Sequence, residues 1–309
     1  MNRTLYAITP IFNPFNFQSR YRLYQNFARH MADSGVQLVT IEAAFGDQPF
    51  RVTSPDNPWH LQLRTDQILW HKERLINLAA QHLAVIAPDY RYLGWFDADI
   101  TFANPDWRDE ALHQLSHLGV IQPFGTAINL DANEDPMWNC PSSFRSFIEG
   151  RGFHQEPPLP VSYTYKGHPG LAWCATRRAF EGLGGLCDTG VAGSADTHMS
   201  NALKGDWNVF LGAPATPGMQ AGFDAWQRRA DATVRGQIGF SRGTVLHHWH
   251  GASEARGYEK RAGILCFHQF DPAADLTLDT QGLYRWTGNK PRLEDDIRLS
   301  LGSRNEDAR

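Results

Sequence analysis

An apolar run that breaks into two acids, YLGWFDADITF at residues 92–102, constrains this chain most strongly. The first five residues have the character of a buried strand, and Asp97 and Asp99 follow that strand directly. Residues two apart on a strand face the same side, so both carboxylates can converge on one divalent cation. The alternative is a solvated turn, because Asp-x-Asp also occurs by chance.

Strand-like and helix-like segments alternate over the first 125 residues. The stretches TLYAITPIF and VQLVTIEAAFG predict strands, whereas SRYRLYQNFARHMADSG and TDQILWHKERLINLAAQHL carry apolar residues at helical spacing. This alternation predicts an α/β fold with a mostly parallel sheet and helices on its faces. Residues 126–166 predict a long irregular excursion over the sheet. We expect a catalytic domain at 1–270 and a C-terminal extension at 271–309, packed on that domain.

Composition excludes several classes of protein. A chain of 309 residues with 42% hydrophobic content can bury a sizeable core, and its net charge of -4 shows no basic excess for nucleic acid or an anionic membrane. Four cysteines without a CxxC pair favour reduced thiols, hence a cytoplasmic protein of a bacterium or a phage-infected host. No signal peptide and no membrane span are predicted, since no window reaches the roughly 18 apolar residues that a span needs.

Three histidines lie within four residues in the predicted strand GTVLHHWHG. His247 and His250 are candidate metal ligands, because imidazole nitrogen binds manganese, zinc and related ions. The alternative is a polar edge strand with a partly buried histidine, which we prefer for His248. Downstream, Arg256 is close enough in sequence to meet phosphate oxygens, unless it lies on the solvated face of a helix.

A further carboxylate, Asp196, follows a Gly-Ser turn at the start of the predicted helix in GSADTHMSNAL. At that position a carboxylate can cap the helix. It can equally act as a general base toward a hydroxyl group. The sequence alone leaves both roles open.

The order of these motifs resembles the GT-A class of nucleotide-sugar glycosyltransferases over roughly residues 4–262. The matching features are a first strand ending in TPIFN, the Asp-Ala-Asp, the glycine-containing GLAWCATRRAF, a carboxylate on a helix and a later histidine. The spacing of His247 and His250 is similar to the Met-x-x-His metal pair of β-1,4-galactosyltransferases. The resemblance implies a GT-A-type, Rossmann-like three-layer α/β/α sandwich with a mixed, mostly parallel central sheet. One departure is Ala195-Asp196, where many members have Glu-Asp, and it leaves the inverting or retaining outcome undecided.

The resemblance also implies roles for single residues. Asp99 would bind a divalent metal, Mn²⁺ or Mg²⁺, directly, and Asp97 would contact ribose, the donor sugar or the metal. His250, with or without His247, would complete the metal coordination, and Asp196 would be the catalytic base. For Lys72 and Arg74, which are implied to contact the donor, the alternative is that they lie on an exposed helix face. The implied donor-binding residues are Pro10, Phe12, Glu42, Lys72, Arg74, Asn77, Asp97, Gly170, Trp173, Arg256 and Tyr258.

The expected function is metal-dependent transfer of a sugar from a nucleotide diphosphate donor, a UDP-sugar being the commonest for this resemblance. The acceptor would be a hydroxyl of a glycan, a protein or a hydroxymethylated DNA base. Alternatives are a metal-dependent nucleotidyltransferase or sugar-phosphate hydrolase, and an inactive nucleotide-sugar-binding module. The lack of a Walker glycine loop or a GxGxxG after the first strand counts against P-loop and dinucleotide-binding proteins. Residues 126–166 and the segment GAPATPGMQAGFDAW are candidates for a lid.

Overall fold

The computed structural model describes residues 3–150, 167–208 and 213–308. Residues 151–166 of the first predicted lid segment and the first residue of the second therefore lie outside the described part. The strands are β1 (Leu5–Phe12), β2 (Gln37–Phe45), β3 (His60–Thr65), β4 (Tyr92–Phe96), β5 (Ile100–Phe102), β6 (Val120–Gln122), β7 (Thr126–Leu130), β8 (Pro136–Pro141), β9 (Ala172–Thr176), β10 (Ile238–Phe240), β11 (Thr244–His247), β12 (Leu276–Leu278) and β13 (Tyr284–Trp286).

The helices begin and end close to the predicted positions in the first half of the chain. They are α1 (Gln18–Asp33), α2 (Lys72–Ile86), α3 (Trp107–Leu115), α4 (Ser143–Ile148), α5 (Arg177–Leu183), α6 (Ala195–Leu203), α7 (Pro217–Thr233), α8 (Tyr258–Phe267), α9 (Pro272–Asp275) and α10 (Pro291–Gly302). A short 3-10 helix, Ser253–Arg256, precedes α8. The single helix predicted after the histidines is thus divided in two.

Within the described residues, the largest sheet has seven strands in the order β10-β6-β9-β4-β1-β2-β3. Neighbouring strands run parallel except at β9, which is antiparallel to both β4 and β6. The predicted α/β class with a mixed, mostly parallel central sheet is therefore confirmed. Because β1, β2 and β4 are parallel, their carboxyl ends lie at one edge of the sheet, where open α/β sheets bind ligands.

Apolar side chains cover both faces of this sheet. Along β1, Tyr6 and Ile8 belong to one buried cluster, and Leu5 and Ala7 belong to the other. This alternation follows from the two-residue period of a strand, which sends successive side chains to opposite faces. Helices α2 and α6 pack on the first face, and α1 and α3 pack on the second. The central sheet thus lies between two helical layers.

A second sheet, with the order β5-β11-β7-β8 among the described residues, stands beside the carboxyl end of β4. The prediction of an irregular excursion is wrong for residues 126–150, which form β7, β8 and α4. Strand β7 pairs with both β8 and β11, so hydrogen bonds to distant segments fix this stretch in spite of its polar composition. The hairpin places Asn129 next to His247.

The C-terminal segment contributes to the main core. Helix α10 buries Leu293, Ile297 and Leu301 in the same cluster as α2 and α6. The predicted boundary between residues 270 and 271 stays a prediction. No described helix combines the length and apolarity that crossing a bilayer requires.

Candidate active site and metal centre

Antiparallel pairing of β5 with β11 brings the acidic motif to the histidines. Chain direction reverses after β4, so that Ile100 pairs with His247, and the amide of His248 donates to the carbonyl oxygen of Asp99 at 2.8 Å. Residues nearly 150 positions apart in sequence are therefore neighbours through backbone hydrogen bonds. The pairing register fixes which histidine faces Asp99, since adjacent side chains on a strand point to opposite sides.

Asp99, His247 and His250 form a group of potential metal ligands among the described residues. Each offers one ligand atom, and these atoms all lie within 4.8 Å of one another. Asp99 Oδ2 is 3.2 Å from His250 Nε2, and Asp99 Oδ1 is 3.7 Å from His247 Nε2. His248 points elsewhere: its ring contacts Glu134 and Thr101 at 2.5 and 3.0 Å. The structure thus brings together three of the four predicted metal ligands.

The other ring nitrogen of each histidine is already engaged. His247 Nδ1 lies 2.5 Å from Asn129 Oδ1, and His250 Nδ1 lies 2.9 Å from the carbonyl oxygen of His248. Both partners can accept an Nδ1 proton, and a histidine protonated at Nδ1 would present its Nε2 lone pair to a metal ion beside Asp99. Arg256 Nη2, which can only donate, is 3.1 Å from His250 Nδ1 and competes with the carbonyl oxygen of His248 for that nitrogen.

The protonation states of the cluster also suit a cation. Burial lowers the pKa of His250 to about 3, and the charge of Arg256 lowers it further. Burial alone would raise the pKa of Asp99, but its interactions with His250 and His247 and the charge of Arg256 outweigh burial and hold that pKa well below its usual value. Asp99 Oδ1 is buried without a hydrogen-bond partner among the described residues. A carboxylate oxygen left in this state is costly unless a cation binds it.

Asp97, the fourth predicted ligand, pairs instead with Lys72. Its Oδ1 contacts Lys72 Nζ, and its backbone amide donates to the carbonyl oxygen of Leu171 at 2.8 Å. Burial would lower the pKa of Lys72, but the negative charges of Asp97 and Asp196 outweigh burial and raise it. Lys72 is therefore a fixed positive charge between the acidic motif and the predicted base.

The carboxylate of Asp196 lies against the backbone of Gly170. Its Oδ1 accepts a hydrogen bond from the amide of Thr197 at 2.8 Å, and a Cβ atom added to Gly170 would overlap its Oδ2. Lys72, Gly170, Trp173 and Asp196 line one small cavity of about 10 Å³. Glycine at position 170 is what allows the carboxylate to approach the strand end so closely.

Substituting Gly170 by alanine tests this contact. The added methyl group has to displace the carboxylate of Asp196, so we expect kcat/KM for a reaction in which Asp196 is the base to fall by about 10- to 100-fold. Gly263→Ala is the matched control, because a Cβ atom at Gly263 meets nothing within 4 Å. Equal activity of both variants in a steady-state assay would contradict the close approach of Asp196 to the backbone.

Predicted donor residues at the ends of β1 and β2 lie at the expected sheet edge. Pro10 lies in β1, and Phe12 ends that strand with its ring edge-on to His71 at 4.9 Å. Glu42 in β2 is buried, and its carboxylate accepts from the amides of residues 51–53 at 2.7, 3.1 and 3.0 Å. These bonds hold the loop after β2 in place, and that loop lies at the same edge of the sheet. Glu42 therefore acts on the edge indirectly, by positioning the loop.

Several predicted donor residues make contacts within the fold. Arg74 and Asn77 both bond Asp188, at 3.2 and 3.0 Å, and thereby hold α2 to the segment before α6. Trp173 is buried, and its indole nitrogen donates to the carbonyl oxygen of Pro169 at 2.7 Å. Tyr258 begins α8, and its side chain lies outside the described part of the chain.

Some neighbours of the metal cluster were not predicted from sequence. His168 is buried with its ring centre 6.3 Å from that of His247, and its Nδ1 accepts from the amide of Gly170 at 3.2 Å. Arg20 makes two contacts of 2.5 and 2.6 Å with Glu306. Burial would raise the pKa of Glu306, but the charge of Arg20 outweighs burial and lowers it to about 2. These contacts tie the C-terminal residues to α1.

Comparison with known proteins gives a likeness in structure only. No family model and no curated protein matches the chain. The fold is similar to a mutant of Drosophila β1,4-galactosyltransferase 7 in complex with manganese, UDP-Gal and xylobiose, at 13% identity and a TM-score of 0.41, covering 94% of this chain and 97% of that one. The catalytic domain of the same enzyme with xylobiose gives 12% identity, a TM-score of 0.38 and the same coverage.

A third similar structure is a glycosyltransferase involved in glycosylation of the major capsid of PBCV-1, at 10% identity and a TM-score of 0.29, covering 96% of this chain and 99% of that one. These three structures are two of a galactosyltransferase and one of a glycosyltransferase. At TM-scores below 0.5, this likeness assigns no activity to the chain.

Proposed function

We propose that this protein is a metal-dependent glycosyltransferase of GT-A type, which moves a sugar from a nucleoside diphosphate donor, a UDP-sugar, to a hydroxyl acceptor. One observation carries the proposal: Asp99, His247 and His250 lie together at the carboxyl end of β4. Lys72 contacts Asp97 at the same strand end and interacts with the nearby carboxylate of Asp196. A cation site, a fixed ammonium and a carboxylate base are the groups that transfer from a diphosphate needs. The proposal includes a cytoplasmic setting, which the four free cysteines support.

The donor set fits a divalent ion. Two imidazoles whose Nε2 atoms both face Asp99 and one carboxylate suit Mn²⁺, and the buried, unpartnered Oδ1 of Asp99 supplies the charge. Asn129 orients His247 from behind, as a hydrogen bond to the non-ligating nitrogen generally does. When bound, such an ion would neutralise negative charge on a departing diphosphate.

The remaining groups have separate tasks in this scheme. The acceptor O–H gives its proton to Asp196, a bond forms between the acceptor oxygen and C1 of the sugar, and the bond from C1 to the diphosphate oxygen breaks. The diphosphate leaves with the electron pair of that bond. Lys72, positively charged and half-buried beside Asp97, attracts the negative charge that develops on the leaving group. The carboxylate of Asp196 is placed for its task by Thr197 and Gly170.

Ligand binding tests the proposal directly. We expect Mn²⁺ together with UDP, UDP-galactose, UDP-glucose or UDP-N-acetylglucosamine to raise the unfolding temperature, since a ligand at 100 times its Kd adds about 2.7 kcal/mol. Incubation of the best-binding sugar nucleotide with Mn²⁺ should then release UDP and free sugar slowly in the absence of an acceptor. Magnesium, calcium and a chelator serve as the metal controls.

Other products would point to other functions. Release of UMP and sugar phosphate would indicate a hydrolase, and binding without turnover would indicate a nucleotide-sugar-binding module. If Mn²⁺ and the four nucleotides leave the unfolding temperature unchanged, together and separately, the proposed function is wrong.

A further inference from the structure

A second acid, Glu73, faces the cavity that contains Asp196. It is the second residue of α2, directly after Lys72, and only 4% of its surface is exposed. Lys72, Glu73 and Asp196 are the ionisable residues that line this cavity. A glutamate near the start of a helix is ordinarily solvated and interacts with the helix dipole. Burial of Glu73 at the predicted base is not explained by the stability of α2.

The cavity is matched in size to one polar group. Its volume of about 10 Å³ gives room for one hydroxyl group or one water molecule. Its walls are otherwise largely apolar, and they include Trp95, Trp173 and Met199. Lys72, Glu73 and Asp196 are the charged or acidic groups that can hydrogen-bond a hydroxyl in such a site, where an unpaired buried hydroxyl is costly.

We propose that the carboxyl group of Glu73 is a sugar-positioning group, which hydrogen-bonds a hydroxyl of the substrate sugar entering between Lys72 and Asp196. This inference rests on the proposed function. It goes beyond it by supplying a second carboxyl group at the base from α2, in a chain whose α6 carries alanine at position 195, directly before Asp196.

The charges around Glu73 decide which hydrogen bond it makes. Burial raises the pKa of Glu73 to about 8, and the negative charges of Asp196 and Asp97 add to burial, whereas Lys72 opposes it. The thiol of Cys187, which also faces Glu73, is neutral at pH 7, because burial raises its pKa to about 11. Glu73 is then a neutral acid that donates to the hydroxyl oxygen, while the hydroxyl in turn donates to the carboxylate of Asp196.

Affinities for UDP and for a UDP-sugar separate this role from a structural one. In Glu73→Ala, we expect the Kd for the best-binding UDP-sugar in the presence of Mn²⁺ to rise about 10-fold, the value of one hydrogen bond. The Kd for UDP, which has no sugar, should stay within about twofold of wild type. Glu73→Gln keeps a neutral donor, so its loss should be smaller, about threefold.

The pH profile provides a second readout. Wild-type affinity for the UDP-sugar should weaken above about pH 8, as Glu73 ionises and stops donating, whereas the profile of Glu73→Gln should be flat there. Glu110→Gln makes the same change at an exposed glutamate in the first turn of α3 and should follow wild type. If Glu73→Ala does not fold, the test of this role is the pH dependence of UDP-sugar affinity in Glu73→Gln above pH 8.

Two failures can be told apart. If wild type binds neither UDP nor any UDP-sugar with Mn²⁺, the proposed function is wrong, and the role of Glu73 falls with it. If wild type binds them but Glu73→Ala weakens UDP and UDP-sugar equally, or the Glu73→Gln profile keeps the alkaline decline, the role assigned to Glu73 is overturned while the transferase proposal stands.

Discussion

Replacing Asp99 by asparagine is expected to abolish the stabilisation by Mn²⁺ and UDP and to lower the turnover of a UDP-sugar on the order of 10³-fold, because a metal ion supplies several kcal/mol of charge stabilisation. Asp99 provides the negative charge among the three candidate ligands. An asparagine oxygen is neutral and cannot offset the cost of bringing a divalent ion next to Arg256. Asparagine has nearly the same shape as aspartate and no net charge to bury, so folding itself should be little affected.

Neighbouring histidines supply the matched controls for this prediction. His250→Ala should lose the Mn²⁺ response, whereas His248→Asn should keep it, since the ring of His248 contacts Glu134 and Thr101 and lies outside the ligand group. The measurement is the unfolding temperature with UDP, with and without Mn²⁺, together with release of UDP from the sugar nucleotide. Retention of the Mn²⁺ response in Asp99→Asn, or its loss in His248→Asn, would contradict the assignment of the centre.

Local patterns were enough to predict the elements that carry the site. Strand β4 and helix α2 have the apolar periodicity of their type, so the placement of Asp97 and Asp99 at a strand end follows from sequence. The same reasoning predicted the helix that begins beside Asp196. Each of these segments shows its type in a pattern of residues within a few positions of one another.

The second sheet could not be predicted in this way. Strand β5 has only three residues, which are too few to show a period, and β8 begins at Pro136 and ends at Pro141. Prolines ordinarily argue against a strand, and here they occupy its ends, where a missing amide costs little. β5 is stabilised by pairing with β11, and β8 is stabilised by pairing with β7. Pairing between segments that are distant in sequence leaves no local signal in the sequence.

Long-range contacts also explain which site residues the sequence does not reveal. Glu73 adjoins Lys72, but its burial depends on α6, more than 100 residues later. Glu306 is 286 residues from Arg20 in sequence and bonds it at the other end of the chain. Arg74 and Asn77 were predicted to contact the donor, but both side chains bond Asp188. A helix pattern cannot distinguish a residue that contacts a ligand from one that contacts another segment of the chain.

Replacing Asp196 by asparagine is expected to remove catalysis without removing donor binding. A general base contributes about 10²- to 10⁴-fold to a rate, so kcat for transfer should fall by that factor. The asparagine oxygen can still accept from the amide of Thr197, which keeps the start of α6 in place. Lys72 and the metal cluster remain, so the Kd for UDP in the presence of Mn²⁺ should stay within about twofold of wild type.

Asp109→Asn is the matched control, because Asp109 occupies the first turn of α3 as Asp196 occupies that of α6. Both variants lose the same favourable interaction with a helix N-terminus, about 0.3–1 kcal/mol, so a difference in kcat between them cannot come from helix stability. Initial rates of UDP release and isothermal titration with UDP measure the two quantities separately. A variant that binds UDP normally and turns over at the wild-type rate would show that Asp196 only caps its helix, which is the alternative that its position also allows.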